Sequence, residues 1–371
     1  MFIKFQPSLK PLMDLYTSNS IYDQLWQEFI SIRHSKSQKK IKSKKSISPW
    51  IDQSKIYFLD AHRSNWKSAG LLYYYSFLNL AKAFIVGKGK TSAKLMRSLS
   101  FYHGLSSLPQ IPKNLSEFEI EIHPTNTNKK TGNIFSIFYK ELTGKQWPFK
   151  TKIAIKLKEI MAYSPEVSTE INQLYSINRG IINIQSLLLF DKSDCWFQFC
   201  VPNYEKNRIQ TCINNSSYTV STFLKLPSTE KQHWLDAYNL SFSESSNYLF
   251  FTRVKRSYNN LPINEVINQE TVYIAKEFSN NYSPYWNSVR GEKEWLFIPQ
   301  INLNGNSLVW SPLLTDYLIA FALSTQLRYY PHLFPNDSAD SFFAESWCNQ
   351  AAITALRNFL IIFTEPSIRL N

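Results

Sequence analysis

Residues 64–106 read SNWKSAGLLYYYSFLNLAKAFIVGKGKTSAKLMRSLSFYHGLS, and the first half of that stretch decides what kind of fold the chain has. Trp66, Ala69, Tyr73, Phe77, Leu80 and Phe84 recur every three or four residues, which puts them on one face of a helix. Leu71, Tyr75, Leu78 and Ile85 fill a second face, so little of the surface is polar. A helix that is apolar nearly all round belongs inside a protein, packed on other elements. Ser64 is placed to cap its start, and Gly87 and Gly89 supply the stop. A bilayer span needs about 20 uninterrupted apolar residues. Asn79, Lys82 and three tyrosines interrupt this run, so the sequence predicts no transmembrane segment.

Upstream, residues 9–33 carry Leu12, Leu15, Tyr22, Leu25, Trp26 and Phe29 at helical spacing and predict an opening helix. It leads into RHSKSQKKIKSKKS. Here Arg33, Lys36, Lys39, Lys40, Lys42, Lys44 and Lys45, diluted by serines, cannot build a core and predict a solvated loop. With a formal net charge of +13, this run is the most obvious contact for a polyanion, whether RNA, DNA or anionic lipid headgroups. A basic surface with no polyanionic partner fits the composition equally well.

Downstream, Pro109 and Pro112 break the helical pattern. FEIEIHP (118–124) and NIFSIFYKEL (133–142) alternate and predict strands, with a turn around residues 126–132. Residues 149–174 predict a helical insertion interrupted by Pro165. Strands return in IINIQSLLLF, CWFQFCVP, TCINNSSYTVSTFLKL and SSNYLFFTRVKR. The last part is helical again. SPLLTDYLIAFALSTQLRYYPHLF opens on Ser311 as cap and Pro312 at the first helical position, and Pro331 ends it. A final helix over 344–363 turns Trp347, Ala351, Leu356, Leu360 and Phe363 inward. Two apolar helical blocks that cannot hide their surfaces alone are expected to pack on each other. The fold class is therefore α+β. An opening helix and basic loop (1–48) precede a first helical block (49–108), a β-rich mixed middle region (109–307) and a C-terminal helical block (308–371).

Scarce glycine, and the lack of either fingerprint, argue against a Rossmann or P-loop nucleotide site, and no cofactor is expected. Cys195, Cys200, Cys212 and Cys348 lack zinc spacing and matching histidines, so they read as buried free thiols and no metal site is expected. Glu117, Glu119, Glu121, Asp191 and Asp194 lie on strand-like segments without metal-site spacing, and no carboxylate near Ser106 in sequence completes a hydrolase triad. Lys82 and Asp316, lone charges on apolar helices, are expected to neutralise each other. Arg328 and His332 flank Pro331 and read as structural, the arginine paired with a carboxylate. No secretory leader pattern opens the chain, so the expected location is the cytoplasm.

LLYYYSFLNLAKAFIV with the following HGLS, and PLLTDYLIAFALSTQLRYYP near the C-terminus, resemble the two signature segments of the YaaC-like bacterial proteins. The second departs from that pattern at Tyr330, where the family tends to a histidine. The tyrosine-rich helix is also similar to helices of the HEPN superfamily, many of whose members dimerise and cleave RNA without a metal. Their pairing of an Arg, a short spacer and a His is matched by Arg97 and His103. The resemblance implies an imidazole that moves the 2′-hydroxyl proton and a guanidinium that holds the phosphate. A homodimer would bring two such pairs into one cleft. The function so implied is an RNA-binding or RNA-cleaving component of a bacterial stress or antiphage defence system. The rival is a non-catalytic scaffold docking a partner protein through the basic loop, with His103 only ordering a helix end; attachment to anionic membrane is a third.

Overall fold

The computed structural model describes residues 1–4, 26, 44–97, 101–124, 132–210, 218–238, 247–259, 261–277, 282–287 and 292–364. In chain order the elements that matter begin with β1 (Phe2–Lys4), α1 (Lys44–Arg63), α2 (Trp66–Gly87), α3 (Ala93–Met96), β2 (Leu105–Ser107) and β3 (Glu119–Ile122). Next come α4 (Ile134–Thr143), β4 (Ile153–Lys156), α5 (Leu157–Met161), α6 (Ser168–Tyr175), β5 (Ile182–Asp191) and β6 (Asp194–Pro202). β7 (Tyr218–Thr222), α7 (Ser228–Tyr238), β8 (Tyr248–Arg253), α8 (Ile263–Glu277), β9 (Tyr282–Asn287) and β10 (Glu292–Phe297) follow. The chain closes with α9 (Pro312–Tyr329), α10 (Ala339–Ser346) and α11 (Ala352–Thr364). This is an α+β fold. It divides into a mainly helical unit, residues 10–180 with 301–367, and a sheet unit, residues 1–9, 181–300 and 368–371.

In the helical unit α1 and α2 form an antiparallel hairpin. Ser54 and Ser76 share a 2.7 Å hydroxyl contact, Tyr57 stacks near Tyr75 at 5.5 Å, and Phe58 meets Tyr73 edge-on at 5.2 Å. Asn65, one residue later than the expected Ser64, caps α2 by accepting the Lys67 N–H at 3.0 Å, while the Ser64 hydroxyl turns back to the Asp60 carbonyl. The helix ends as the glycines require. Gly89 takes φ +69°, and the N–H groups of Gly89 and Lys90 return to the carbonyls of Val86 and Ile85. Although α2 is long and apolar enough to cross a membrane, 78% of its most apolar window is buried inside the protein.

What buries α2 is the C-terminal block. Gly70 lets α9 approach so closely that a Cβ there would lie 3.0 Å from the Leu323 Cβ. Further along, Tyr74 meets Phe321 edge-on at 5.3 Å, Phe77 lies 5.6 Å from Phe359, and Phe84 meets Phe363. Between α10 and α11 one wide π-turn, Trp347–Ala351, seats the Trp347 indole against Tyr73 and Phe77. Of the opening helix only Trp26 is described; it is buried and edge-on to Phe58.

Two sequence expectations fail in this unit. In place of the strand expected over 133–142 there is a helix, Ile134–Thr143, with Asn133 as its cap. Ile134, Phe135, Phe138 and Tyr139 are buried at helical spacing, Asn133 caps the Ser136 N–H, and Gly144 at φ +72° closes the end. The helical insertion expected over 149–174 starts with a strand, β4, before the short helices α5 and α6. β4 joins β2 and β3 in a three-stranded antiparallel sheet ordered β2-β3-β4. Its pleat buries Leu105, Ile120, Ile122, Ile153 and Ile155, leaving Ser106 and Glu121 opposite one another on the other face.

The sheet unit is built on β9-β10-β5-β6-β8-β7, antiparallel throughout, with β1 also pairing along β5. Alternate residues separate into two apolar clusters. Leu188, Phe197, Phe199 and Phe251 gather with Val266 and Ile274 of α8, and Leu187, Leu189, Cys200 and Phe250 gather with Trp234 of α7. A sheet buried on both faces explains why its strands are so rich in Phe and Leu. Cys195, Cys200 and Cys348 are free and buried, and burial pushes the Cys195 thiol up to about 12; Cys212 lies outside the described residues.

Candidate functional site

Helices α1 and α2 run antiparallel, so the start of α1 and the end of α2 lie at the same end of the hairpin. Lys44 and Lys45 open α1, and Trp50 follows within two turns. After α2 the chain carries Lys88, Lys90, Lys94 and Arg97 in quick succession. The exposed Arg97, at the C-cap of α3, lays its guanidinium over the Trp50 ring at 5.6 Å, joining the two basic segments. Lys90 is partly neutralised by Glu141 at 3.5 Å, and Lys94 is exposed. The remaining members of the basic run, Arg33, Lys36, Lys39, Lys40 and Lys42, lie outside the described residues.

A second constellation surrounds the HGLS turn. Gly104 takes φ +84° and turns the chain so that Leu105 enters β2. The His103 ring lies edge-on to Tyr74 and beside Phe321, and its Nδ1 accepts the Leu105 N–H at 3.2 Å. A neutral His103 therefore carries its proton on Nε2. His103 is exposed as a residue, but the desolvation of its ring against Tyr74 and Phe321 lowers its pKa, and the charges of His123 and Lys82 lower it further. On the neighbouring strand, the Ser106 hydroxyl donates to Glu121 Oε2 at 2.7 Å and lies 2.7 Å from His123 Nε2. Lys152 completes the group, 3.5 Å from Glu121. The Ser106 hydrogen bond holds the Glu121 carboxyl below its ordinary range, with Lys152 assisting. Burial lowers the His123 pKa, and Lys152 lowers it further against an opposing pull from Glu121.

Arg97 and His103 thus contact different aromatic partners, and among the described residues no hydrogen bond or ring contact joins them. His123 went unremarked in the sequence reading, because its hydroxyl partner is 17 residues away. The signal was present: alternation in FEIEIHP puts Glu119, Glu121 and His123 on one strand face. Just before β3, Glu117 bonds both Lys156 at 2.8 Å and Lys158 at 2.7 Å, which hold its carboxyl down to about 2. Glu117 and Lys156 border a cavity of about 560 Å³ also lined by Lys113 and Glu119.

The expected Lys82–Asp316 pair does not form among the described residues. Asp316 is sealed in the helical core, where it accepts the Ser164 hydroxyl at 2.9 Å and faces the Trp347 indole N–H at 3.5 Å. Lys82 is half-buried, and burial lowers its pKa. Arg328 lies over the ring of Tyr329 at 4.3 Å, without the expected carboxylate among the described residues, and His332 sits exposed beside Tyr330. Among the described residues no three His, Cys, Asp or Glu side chains gather as a metal site.

Taken together, the chain is an α+β protein whose helical unit presents a basic end and a His–Ser–Glu cluster. A family model described as YaaC-like protein matches residues 13–347, and the chain belongs to that family. No curated protein and no solved structure matches it.

Proposed function

We propose that this YaaC-like protein binds RNA through the basic end of its helical unit. One observation carries the reading: the Arg97–Trp50 contact fastens the basic segment after α2 to the helix that the lysine-rich run enters. Dispersed lysines would be ordinary solvated surface. Two converging basic segments with an aromatic ring among them supply what single-stranded nucleic acid uses, a cationic track and a stacking face. The HEPN-type reading of the helical core, with its suggestion of RNA cleavage in stress or phage defence, belongs to the same proposal and rests on resemblance alone.

The test is titration of purified protein into fluorescently labelled single-stranded RNA at several salt concentrations. Binding that weakens steeply with salt, and weakens less steeply after Arg97→Ala, supports the proposal. No binding, or a salt dependence shown only with anionic vesicles, overturns it.

A further inference from the structure

The HGLS turn takes no part in the basic end, and an imidazole holds it shut. His103 Nδ1 accepts the N–H of Leu105, two residues on, at 3.2 Å. Asparagine and aspartate fix turns in this way, by taking the N–H two residues ahead. An imidazole, unlike an amide, titrates near neutrality. Its second proton goes to Nδ1, because Nε2 already carries the first. The protonated ring has two donors and no acceptor, so its new N–H would meet the Leu105 N–H donor to donor. Charging His103 therefore removes the bond outright.

The surroundings act in the same direction. Facing the ring are Tyr74 and Lys82 from α2, Phe321 from α9 and His123 just past the end of β3. The two charged neighbours are both cations, and Glu121, beyond His123, is engaged by Ser106 and Lys152. An imidazolium at 103 has no counter-ion among the described residues. The turn is also a junction. The His103 carbonyl accepts the Phe135 N–H of α4 at 3.2 Å, and the Gly104 carbonyl accepts the His123 N–H at 2.9 Å. Leu105, next along, is buried and opens β2.

We propose that His103 is an acid-sensitive latch on the HGLS turn: the neutral ring holds Leu105 in place, and the protonated ring releases it and opens the turn locally. The latch stands whether or not the basic end binds RNA. Desolvation of the ring, with His123 and Lys82, lowers the folded-state pKa, so the folded chain holds this proton less tightly than the unfolded chain. The stability that the latch contributes is therefore fully present above about 6.5, the ordinary histidine value. It is lost as pH falls below that value and through the lower folded-state one.

The experiment is amide hydrogen exchange of the full chain, followed in a peptide spanning residues 101–107 from pH 7.5 down to about pH 5 and corrected for the intrinsic exchange rate. Wild-type protein is expected to lose protection there on the order of tenfold at the acid end, the effect of one lost hydrogen bond. His103→Asn keeps an acceptor for the Leu105 N–H without a group that titrates, and should stay protected throughout. Lys82→Met removes a repelling cation, so the loss should set in at higher pH than in wild type. A purely structural histidine would give no such displacement. Wild-type protection that does not change with pH overturns the latch, as does an acid loss in His103→Asn equal to that of wild type. Should His103→Asn fail to fold, the Lys82→Met midpoint decides, and an unmoved midpoint overturns the latch.

Discussion

Gly104 and Asn133 are in such close contact that a Cβ carbon on the glycine would lie 1.8 Å from the Asn133 Oδ1. The asparagine has no room to yield. Its Oδ1 caps α4 through the Ser136 N–H, and its Nδ2 donates to the His123 carbonyl. At φ +84° a side chain is also strained on its own account. Gly104→Ala is therefore expected to cost on the order of 3 kcal/mol, from left-handed strain plus loss of a helix cap. A urea midpoint equal to wild type would show that the turn tolerates a side chain.

Asp316 makes stability of the helical unit depend on pH. Burial is the main cause that raises its pKa to about 7, and hydrogen bonds from Ser164 and Trp347 only partly oppose it. The folded state thus holds the proton more tightly than the unfolded state does. The associated stability is fully present below about pH 4, the ordinary range for an aspartate, and is lost as pH rises through about 7. A displacement of that size corresponds to on the order of 4 kcal/mol. Asp316→Asn keeps the acceptor oxygen and removes the charge. It should match wild type near pH 4 and be the more stable protein at pH 8. Melting curves at both values check this; equal melting temperatures at pH 8 would argue that the carboxylate is well solvated.

In the sheet unit the buried Glu270 accepts from Arg253 at 3.2 Å and from the Tyr258 hydroxyl, with Arg256 at 3.9 Å. Glu270→Gln leaves the buried Arg253 guanidinium facing an uncharged group, at an expected cost of about 3–5 kcal/mol. Arg253→Met with Glu270→Leu removes both charges and should be less damaging than the single change. The comparison is made by chemical denaturation followed through the tryptophans. A double variant less stable than Glu270→Gln would mean that the charges themselves hold this unit together.

The sequence made the large helices legible because their signals are local. The apolar face of α2, the Gly87–Gly89 stop, and Ser311–Pro312 at the start of α9 are read from neighbouring residues alone. β5 and β6 were legible for the same reason, as long Phe- and Leu-rich runs. α4 was misread because Ile134, Phe135, Phe138 and Tyr139 suit either period over ten residues, and the deciding cap at Asn133 looks like any turn asparagine. Asp316 was given the wrong partner because both real partners, Ser164 and Trp347, are neutral and distant in sequence. The His123 cluster was only half legible for a related reason: alternation groups Glu121 with His123, but strand register, not spacing, brings Ser106 opposite Glu121.

The electrostatic reading of the basic end makes a positional prediction. A phosphate-contacting cation contributes a fixed share to the salt dependence of binding, about 0.7 per contact for a single strand. Arg97→Ala and Lys94→Ala should each reduce the slope of log affinity against log salt by roughly that amount. Lys67 is equally exposed but opens α2, about 30 Å along the helix axis from Gly87. Lys67→Ala, which loses a surface bond to Asn336 and a contact over the Trp66 ring, should leave the slope unchanged. Trp50→Leu should weaken RNA binding with little change in slope, because it removes a stacking face without removing charge. Equal slope losses from all three cation substitutions would place the RNA along the whole helical unit, not at its basic end.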